Sequence, residues 1–164
     1  MSSLHTAYLS VGSNLADRAA NIERALALLK GAGVRIVRRS SLYKTEPVEF
    51  VSQGWFLNLA AEVETTLMPR QLLRATRRIE QEMGRRRIVR AGPRVLDIDI
   101  LLYGTNIIST PELEIPHPRM ADRRFVLVPM AELAPGLRHP VLKLTMLELL
   151  AATGDRSQVT RLRL

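Results

Sequence analysis

The 164-residue sequence has no cysteine. A disulfide framework and a thiolate zinc site are therefore both excluded. Aromatic residues make up only 4% of the chain, too few for a surface that stacks nucleic-acid bases. Lysine is nearly missing: Lys30, Lys44 and Lys143 stand against 21 arginines. No apolar run reaches the length of a membrane span. The start, Met1-Ser2-Ser3-Leu4-His5-Thr6, lacks a basic stretch followed by a long apolar one, so no signal peptide is read and a cytoplasmic protein is expected. The phosphate-loop pattern G-x-x-x-x-G-K-[ST] is absent, and Gly31-Ala32-Gly33 lacks the third glycine of a dinucleotide fingerprint. No H-E-x-x-H occurs among His5, His117 and His139, which argues against a zinc hydrolase. Any nucleotide is expected to be held by side chains and a metal rather than by a glycine-rich cradle.

Basic charge is present in excess and is focused. The net charge is +8, and the window from Arg70 to Arg94 alone carries nine arginines against Glu80 and Glu82. Such a patch calls for an anionic partner, either a nucleotide or a nucleic acid. Directly after it comes Gly92-Pro93-Arg94-Val95-Leu96-Asp97-Ile98-Asp99-Ile100-Leu101-Leu102-Tyr103. The run from Val95 to Tyr103 is apolar except for two aspartates and reads as a strand partly buried on both faces. Side chains alternate along a strand, so Asp97 and Asp99 share one face. Two partly buried carboxylates repel each other unless something positive holds them. Mg²⁺ suits the pair, because it takes one or two carboxylates and completes its shell with water and phosphates. Paired carboxylates beside an arginine cluster point to metal-assisted phosphoryl chemistry.

At this length one domain covering residues 1–164 is expected. Thr6 to Val11 reads as a first strand, with Ser13 or Asn14 capping a helix whose buried stripe is Ile22, Ala25, Leu26 and Leu29. Val34 to Tyr43 reads as a second strand, Thr45 to Gly54 as a loop, and Phe56 to Thr65 as a third strand. Pro69 suits the first turn of a second helix with Leu72, Ala75, Ile79 and Met83 inward. A basic loop then leads into the aspartate strand. Helices follow at Val126 to Leu133 and Leu144 to Ala152, with Val159 to Leu164 a last strand or a tail. The order strand–helix–strand–strand–helix–strand predicts an α+β, ferredoxin-like βαββαβ core: a mainly antiparallel sheet with helices on both faces and appended C-terminal helices.

Several segments together resemble one family, the 6-hydroxymethyl-7,8-dihydropterin pyrophosphokinases. They are Gly12-Ser13-Asn14-Leu15, Phe56-Leu57-Asn58, Ile79-Glu80 with Gly84-Arg85-x-Arg87, Gly92-Pro93-Arg94-x-Leu96-Asp97-Ile98-Asp99-Ile100-Leu101, and Pro116-His117-Pro118-Arg119-Met120 through Arg123-Arg124-Phe125-Val126-Leu127. The match runs from about Tyr8 to Pro135. The resemblance implies an enzyme of folate biosynthesis that moves the β,γ-pyrophosphoryl group of MgATP onto the pterin hydroxymethyl group and releases AMP. It implies two Mg²⁺ ions on Asp97 and Asp99. It implies ATP contacts from Glu80, Arg85, Arg87, Arg94, Ile100, His117 and Arg123, with Arg85, Arg94, Asp97 and Asp99 as the catalytic residues. It implies a pterin pocket at Thr45, Val48, Phe56, Asn58 and Phe125. The chemistry agrees with each type: a guanidinium forks onto two phosphate oxygens, a flat ring stacks on phenylalanine, and an amide donates and accepts along the pterin edge. Without the resemblance, His117 and each phenylalanine read as structural, Arg70, Arg74 and Arg78 read as solvated charge, and Glu80 reads equally well as a helix-surface partner of Arg77.

The chain departs from the family pattern at four places. Ala91 stands where many members carry an aromatic in a closing loop. Glu46 replaces a common proline, and Glu112 and Glu114 cannot serve phosphate as an arginine or threonine does. Two rival readings remain at this level. A basic RNA- or DNA-binding module fits the charge but not the aromatic content. A metal-dependent phosphohydrolase fits the carboxylates and predicts ADP or phosphate without any pterin. The favoured reading takes ATP and the pterin as the partners, with no nucleic acid, no membrane and a monomeric chain.

Overall fold

A computed structural model describes residues 3–47, 54–84 and 95–163. Its centre is an antiparallel sheet. Strand β1 (His5–Ser13) lies between β4 (Phe56–Thr65) and β5 (Asp97–Tyr103). On the far side of β4 lie β2 (Val34–Arg39) and β3 (Tyr43–Thr45), and β8 (Val159–Arg161) adds to β3. Helix α1 (Arg18–Gly31) connects β1 to β2, and α2 (Pro69–Glu82) connects β4 to β5. This is the α+β, ferredoxin-like arrangement expected from the element order, with the βαββαβ core antiparallel throughout.

Helices α1 and α2 cover one face of the sheet. Alternate residues Ala7, Leu9 and Val11 of β1, Leu57, Leu59, Ala61 and Val63 of β4, and Ile98 and Ile100 of β5 meet Ile22, Ala25, Leu26, Leu29, Leu72 and Ile79 there. Each fully buried large aliphatic side chain contributes roughly 1.5–3 kcal/mol. Helices α3 (Arg124–Leu133) and α4 (Met146–Ala152) cover part of the other face, over Tyr8, Ala60, Leu101 and Leu102. The short pair β6 (Ile108–Ser109) and β7 (Glu114–Ile115) precedes a cis Ile115–Pro116 peptide and a 3-10 turn at Met120–Asp122. Among the described residues no helix is long and apolar enough to cross a membrane.

Three local expectations are corrected. The α1 cap is Asp17, whose Oδ1 accepts from the Ala20 N–H at 3.2 Å, because β1 runs on through Ser13 and the turn falls later. The predicted strand Val34 to Tyr43 is two strands. Its register against β4 slips after Ile36 and again between Arg39 and Tyr43, and at the break Ser40 keeps β4 satisfied by accepting the Ala60 N–H on its hydroxyl. Such bulges strengthen the local twist. In α2, Ala75 is only half-buried, and Thr76 and Glu80 take buried positions. Beyond these, α4 starts at Met146 because Thr145 and Glu148 form a reciprocal capping box.

Candidate active site

Among the described residues, the part of the α3 face that no helix covers holds Ser10, Gly12, Asn58, Asp97 and Asp99. Gly12 of β1 pairs with Asn58 on one side and with Asp97 on the other, and Asn58 pairs in turn with Tyr43. Tyr43, Asn58, Gly12 and Asp97 therefore form one row across four strands. The next row is Ala60, Ser10 and Asp99. With strands about 4.8 Å apart, Asn58 and Asp97 sit roughly 10 Å from each other with no side chain between them. Gly12 leaves room for the Asn58 amide, since a Cβ at this position would collide with its nitrogen and displace it. Thr45 and Phe56 pair beyond the row, on the same face. The Thr45 hydroxyl donates to Asn58 Oδ1 at 2.6 Å and fixes the amide. Both Thr45 and Asn58 are buried, and Phe56 is half-buried.

Asp97 and Asp99 are half-buried and project to this face as the alternation predicts. Among the described residues no cluster of three or more acidic or histidine side chains can hold a metal. A pair of carboxylates is still a fitting donor set for Mg²⁺, which leaves most of its shell to water and phosphate oxygens. The Ile100 side chain points the other way, into the core under α1 and α2, so only its backbone on the edge strand is available to a ligand.

A cleft of about 480 Å³ opens between α2 and the free edge of β5, lined by Leu73, Thr76, Arg77, Glu80, Gln81, Asp97, Ile98 and Asp99. This volume is in the range of small-ligand pockets. Glu80 is buried at its base and accepts the Ile98 N–H at 2.8 Å. An edge-strand donor that would otherwise lack a ladder partner is thereby satisfied. Sequence reasoning missed Leu73, Thr76, Arg77 and Gln81. Their spacing with Glu80 along α2 is that of one helix face, which was the signal available.

His117 lies across the edge of β5, its backbone N–H donating to Leu101 O at 2.9 Å. Its Nδ1 accepts the Arg119 N–H at 3.2 Å, which puts the proton of the neutral ring on Nε2. Burial, and then the charges of Arg123 and Arg119, push its pKa down to about 4, against a partial opposing pull from Asp97. His117 is thus an uncharged hydrogen-bonding group at neutral pH. Arg123 and Phe125 flank the start of α3, and the Arg123 guanidinium lies 5.6 Å from the Phe125 ring centroid. The structure therefore gathers Thr45, Phe56, Asn58, Asp97 and Asp99 on one face, with His117, Arg123 and Phe125 on the loop and helix beside them and Glu80 behind the edge strand. Arg85, Arg87, Arg94, Val48 and Ala91 lie outside the described residues.

Of the departures, Glu46 has a clear structural partner: its Oε1 accepts the Gln158 N–H at 2.7 Å and its own N–H donates to Gln158 O. Glu112 is exposed, and Glu114 pairs with Ser109 in the small β6–β7 ladder.

Fold and site together define an α+β protein with paired carboxylates and a buried amide on one face of its sheet. Residues 8–135 match the family model of 7,8-dihydro-6-hydroxymethylpterin-pyrophosphokinase. A Bacillus subtilis 2-amino-4-hydroxy-6-hydroxymethyldihydropteridine pyrophosphokinase is 48% identical over 128 residues, 77% of each chain. The Methylorubrum extorquens protein of the same name is 46% identical over 132 residues, 80% of this chain and 84% of that one. The chain belongs to this pyrophosphokinase family. Its fold also matches a Plasmodium falciparum HPPK-DHPS variant solved with pteroate, with a TM-score of 0.75 at 18% identity. That match covers 92% of this chain but 41% of the other, so the chain spans about two fifths of the Plasmodium protein.

Proposed function

We propose that the open face of the sheet is where the chain performs the reaction of its family, pyrophosphoryl transfer from ATP to 6-hydroxymethyl-7,8-dihydropterin in folate biosynthesis. The single observation that carries this reading is the row Asn58–Gly12–Asp97, which puts an amide suited to a pterin edge and a carboxylate suited to a metal-bound polyphosphate on one face with only a glycine between them. Thr45 and Asn58 orient the pterin, and Phe56 and Phe125 supply flat apolar surface to its ring. ATP lies along the β5 edge, with Arg123 and His117 toward its phosphates, and the family resemblance assigns Arg85, Arg87 and Arg94 to the same ligand. Asp97 and Asp99 would hold Mg²⁺, two ions by family resemblance. When bound, Mg²⁺ supplies Lewis-acid stabilisation of the phosphate charge.

The reaction forms a bond from the hydroxymethyl oxygen to the β-phosphorus while the bond from that phosphorus to the α,β-bridging oxygen breaks. The bridging oxygen leaves with AMP, and the hydroxyl proton is lost. The residues of this chain contribute mainly position and charge: they hold the two reactants in line and neutralise the spreading phosphate charge. A neutral His117 donates a hydrogen bond from Nε2 without adding a charge that titrates near neutral pH. Residues 1–164 acting as one monomeric, cytoplasmic domain belong to the same proposal.

The test is product analysis by chromatography with MgATP, with and without the pterin. Equal amounts of AMP and pterin diphosphate, formed only when pterin is present and strongly reduced in Asp97→Ala, are the expected result. ADP or phosphate formed without pterin would replace the reading with a phosphohydrolase.

A further inference from the structure

Helix α3 begins in an unusual way. Its N-cap position is Arg123, a residue whose side chain has no acceptor, and no side-chain cap bond is made there. Helix starts favour Ser, Thr, Asp or Asn at this position because their oxygens take up an orphan N–H. In this chain the acceptor comes from far along the sequence. Asp155 Oδ2 accepts the Arg124 N–H at 2.8 Å. The Arg124 side chain grips the same segment, with Nε donating to Ser157 O at 3.0 Å. Asp155 is itself held in place, its Oδ1 accepting from the Ser157 N–H at 2.9 Å and the Ser157 hydroxyl at 2.7 Å.

One residue further, the segment changes partners. The Gln158 N–H donates to Glu46 Oε1, the Glu46 N–H donates to Gln158 O, and β8 then pairs Val159 with Thr45. Residues 155–158 thus tie the start of α3 to the end of β3. At one end the tied residue, Arg124, sits between Arg123 and Phe125. At the other, Glu46 follows Thr45, whose hydroxyl holds Asn58. These neighbours are the residues assigned above to phosphate and pterin.

We propose that the segment 153–163 is a positioning staple that sets the separation of the start of α3 from the end of β3 beside the polar face of the sheet, with Asp155 and Glu46 as its two fastening residues. Supplying the cap from Asp155 lets the N-cap position itself carry a guanidinium. The segment lies beyond residues 8–135, so family membership alone does not account for it. The inference rests on the site assignment proposed above. A misplacement of about 1 Å at a positioned group can lower turnover up to 100-fold, so a small shift of α3 has a readable consequence.

The experiment compares Asp155→Ala, Asp155→Asn and Glu46→Ala with the unmodified protein, measuring KM for ATP and for the pterin, kcat, and melting temperature. Wild-type protein that makes no AMP with pterin would sink the site assignment, whatever the variants do. With wild type active, the expected result is a KM for one or both substrates raised 5- to 20-fold in Asp155→Ala. Asp155→Asn, which keeps an oxygen to cap the helix, should recover most of the loss. Glu46→Ala opens the other end and should raise KM for the pterin; it decides the matter if Asp155→Ala does not fold. Variants that melt earlier yet keep wild-type KM values would show that the segment only stabilises the fold, and would overturn the proposal.

Discussion

The two faces of the sheet carry different burdens. Under α1 and α2 the inward positions of β1, β4 and β5 are mainly aliphatic and several are fully buried, with Ser13, Thr65 and Tyr103 as the buried exceptions. On the opposite face α3 and α4 cover only the part around Tyr8, Ala60, Leu101 and Leu102, and the remaining rows hold Ser10, Gly12, Asn58, Asp97 and Asp99. The same three strands thus anchor the fold through one set of alternate residues and present chemistry through the other. A period of two makes this separation simple, because neighbouring residues of one strand serve opposite purposes. Substitutions at adjacent positions should therefore fail in different ways.

The largest expected effect is on the open face. Asp97→Ala should leave the melting temperature nearly unchanged and lower AMP formation about 1000-fold, the scale of a lost charge-stabilising group. Leu59→Ala, one residue from Asn58 but facing α1 and α2, should do the reverse. It should cost about 2–5 kcal/mol in urea unfolding and leave KM and kcat near wild type well below the melting transition. If Leu59→Ala altered KM as strongly as it altered stability, the two faces would be coupled and the separation would be wrong. Gly12→Ala comes next. The new methyl displaces the Asn58 amide, so KM for the pterin should rise about 10-fold while KM for ATP holds, which steady-state kinetics with each substrate varied will show.

How far these features were legible depended on the range of the forces behind them. Strand β4 was readable to both ends because Leu57, Leu59, Ala61 and Val63 alternate between clear breakers. The aspartate pair was readable because two like charges on one face of an apolar strand need a positive partner, whatever surrounds them. The break between β2 and β3 was not. It is held by Glu132, whose carboxylate accepts from the Ser41 N–H and the Tyr43 hydroxyl across 91 and 89 positions of sequence. The role of Glu80 toward the Ile98 N–H, and that of Glu46 toward Gln158, also depend on tertiary contacts that no local pattern announces. The family resemblance marked Glu80 as a site position, but it could not show that the residue also completes the edge of β5.

His117 offers the smallest effect and the finest test of the site's electrostatics. In the folded, ligand-free protein the ring stays neutral to about pH 4, whereas the unfolded chain takes up its proton near the ordinary value of 6.5. Above pH 6.5 both states are neutral and this residue adds no pH dependence. As the pH falls from 6.5 toward 4, the unfolded state binds more protons and gains, so folding stability declines through that window and levels off below it. After solvent screening the decline between pH 7 and pH 5 should be on the order of 1 kcal/mol. His139, which burial also shifts downward, adds to the decline with the same sign, so the contribution of His117 must be isolated by substitution. His117→Asn keeps an oxygen for the Arg119 N–H and removes the titration. Urea midpoints of the ligand-free variant should fall less between pH 7 and pH 5 than those of wild type. Equal declines would mean that His117 titrates normally in the folded state, and that Arg123 and Arg119 do not press on it as their placement implies.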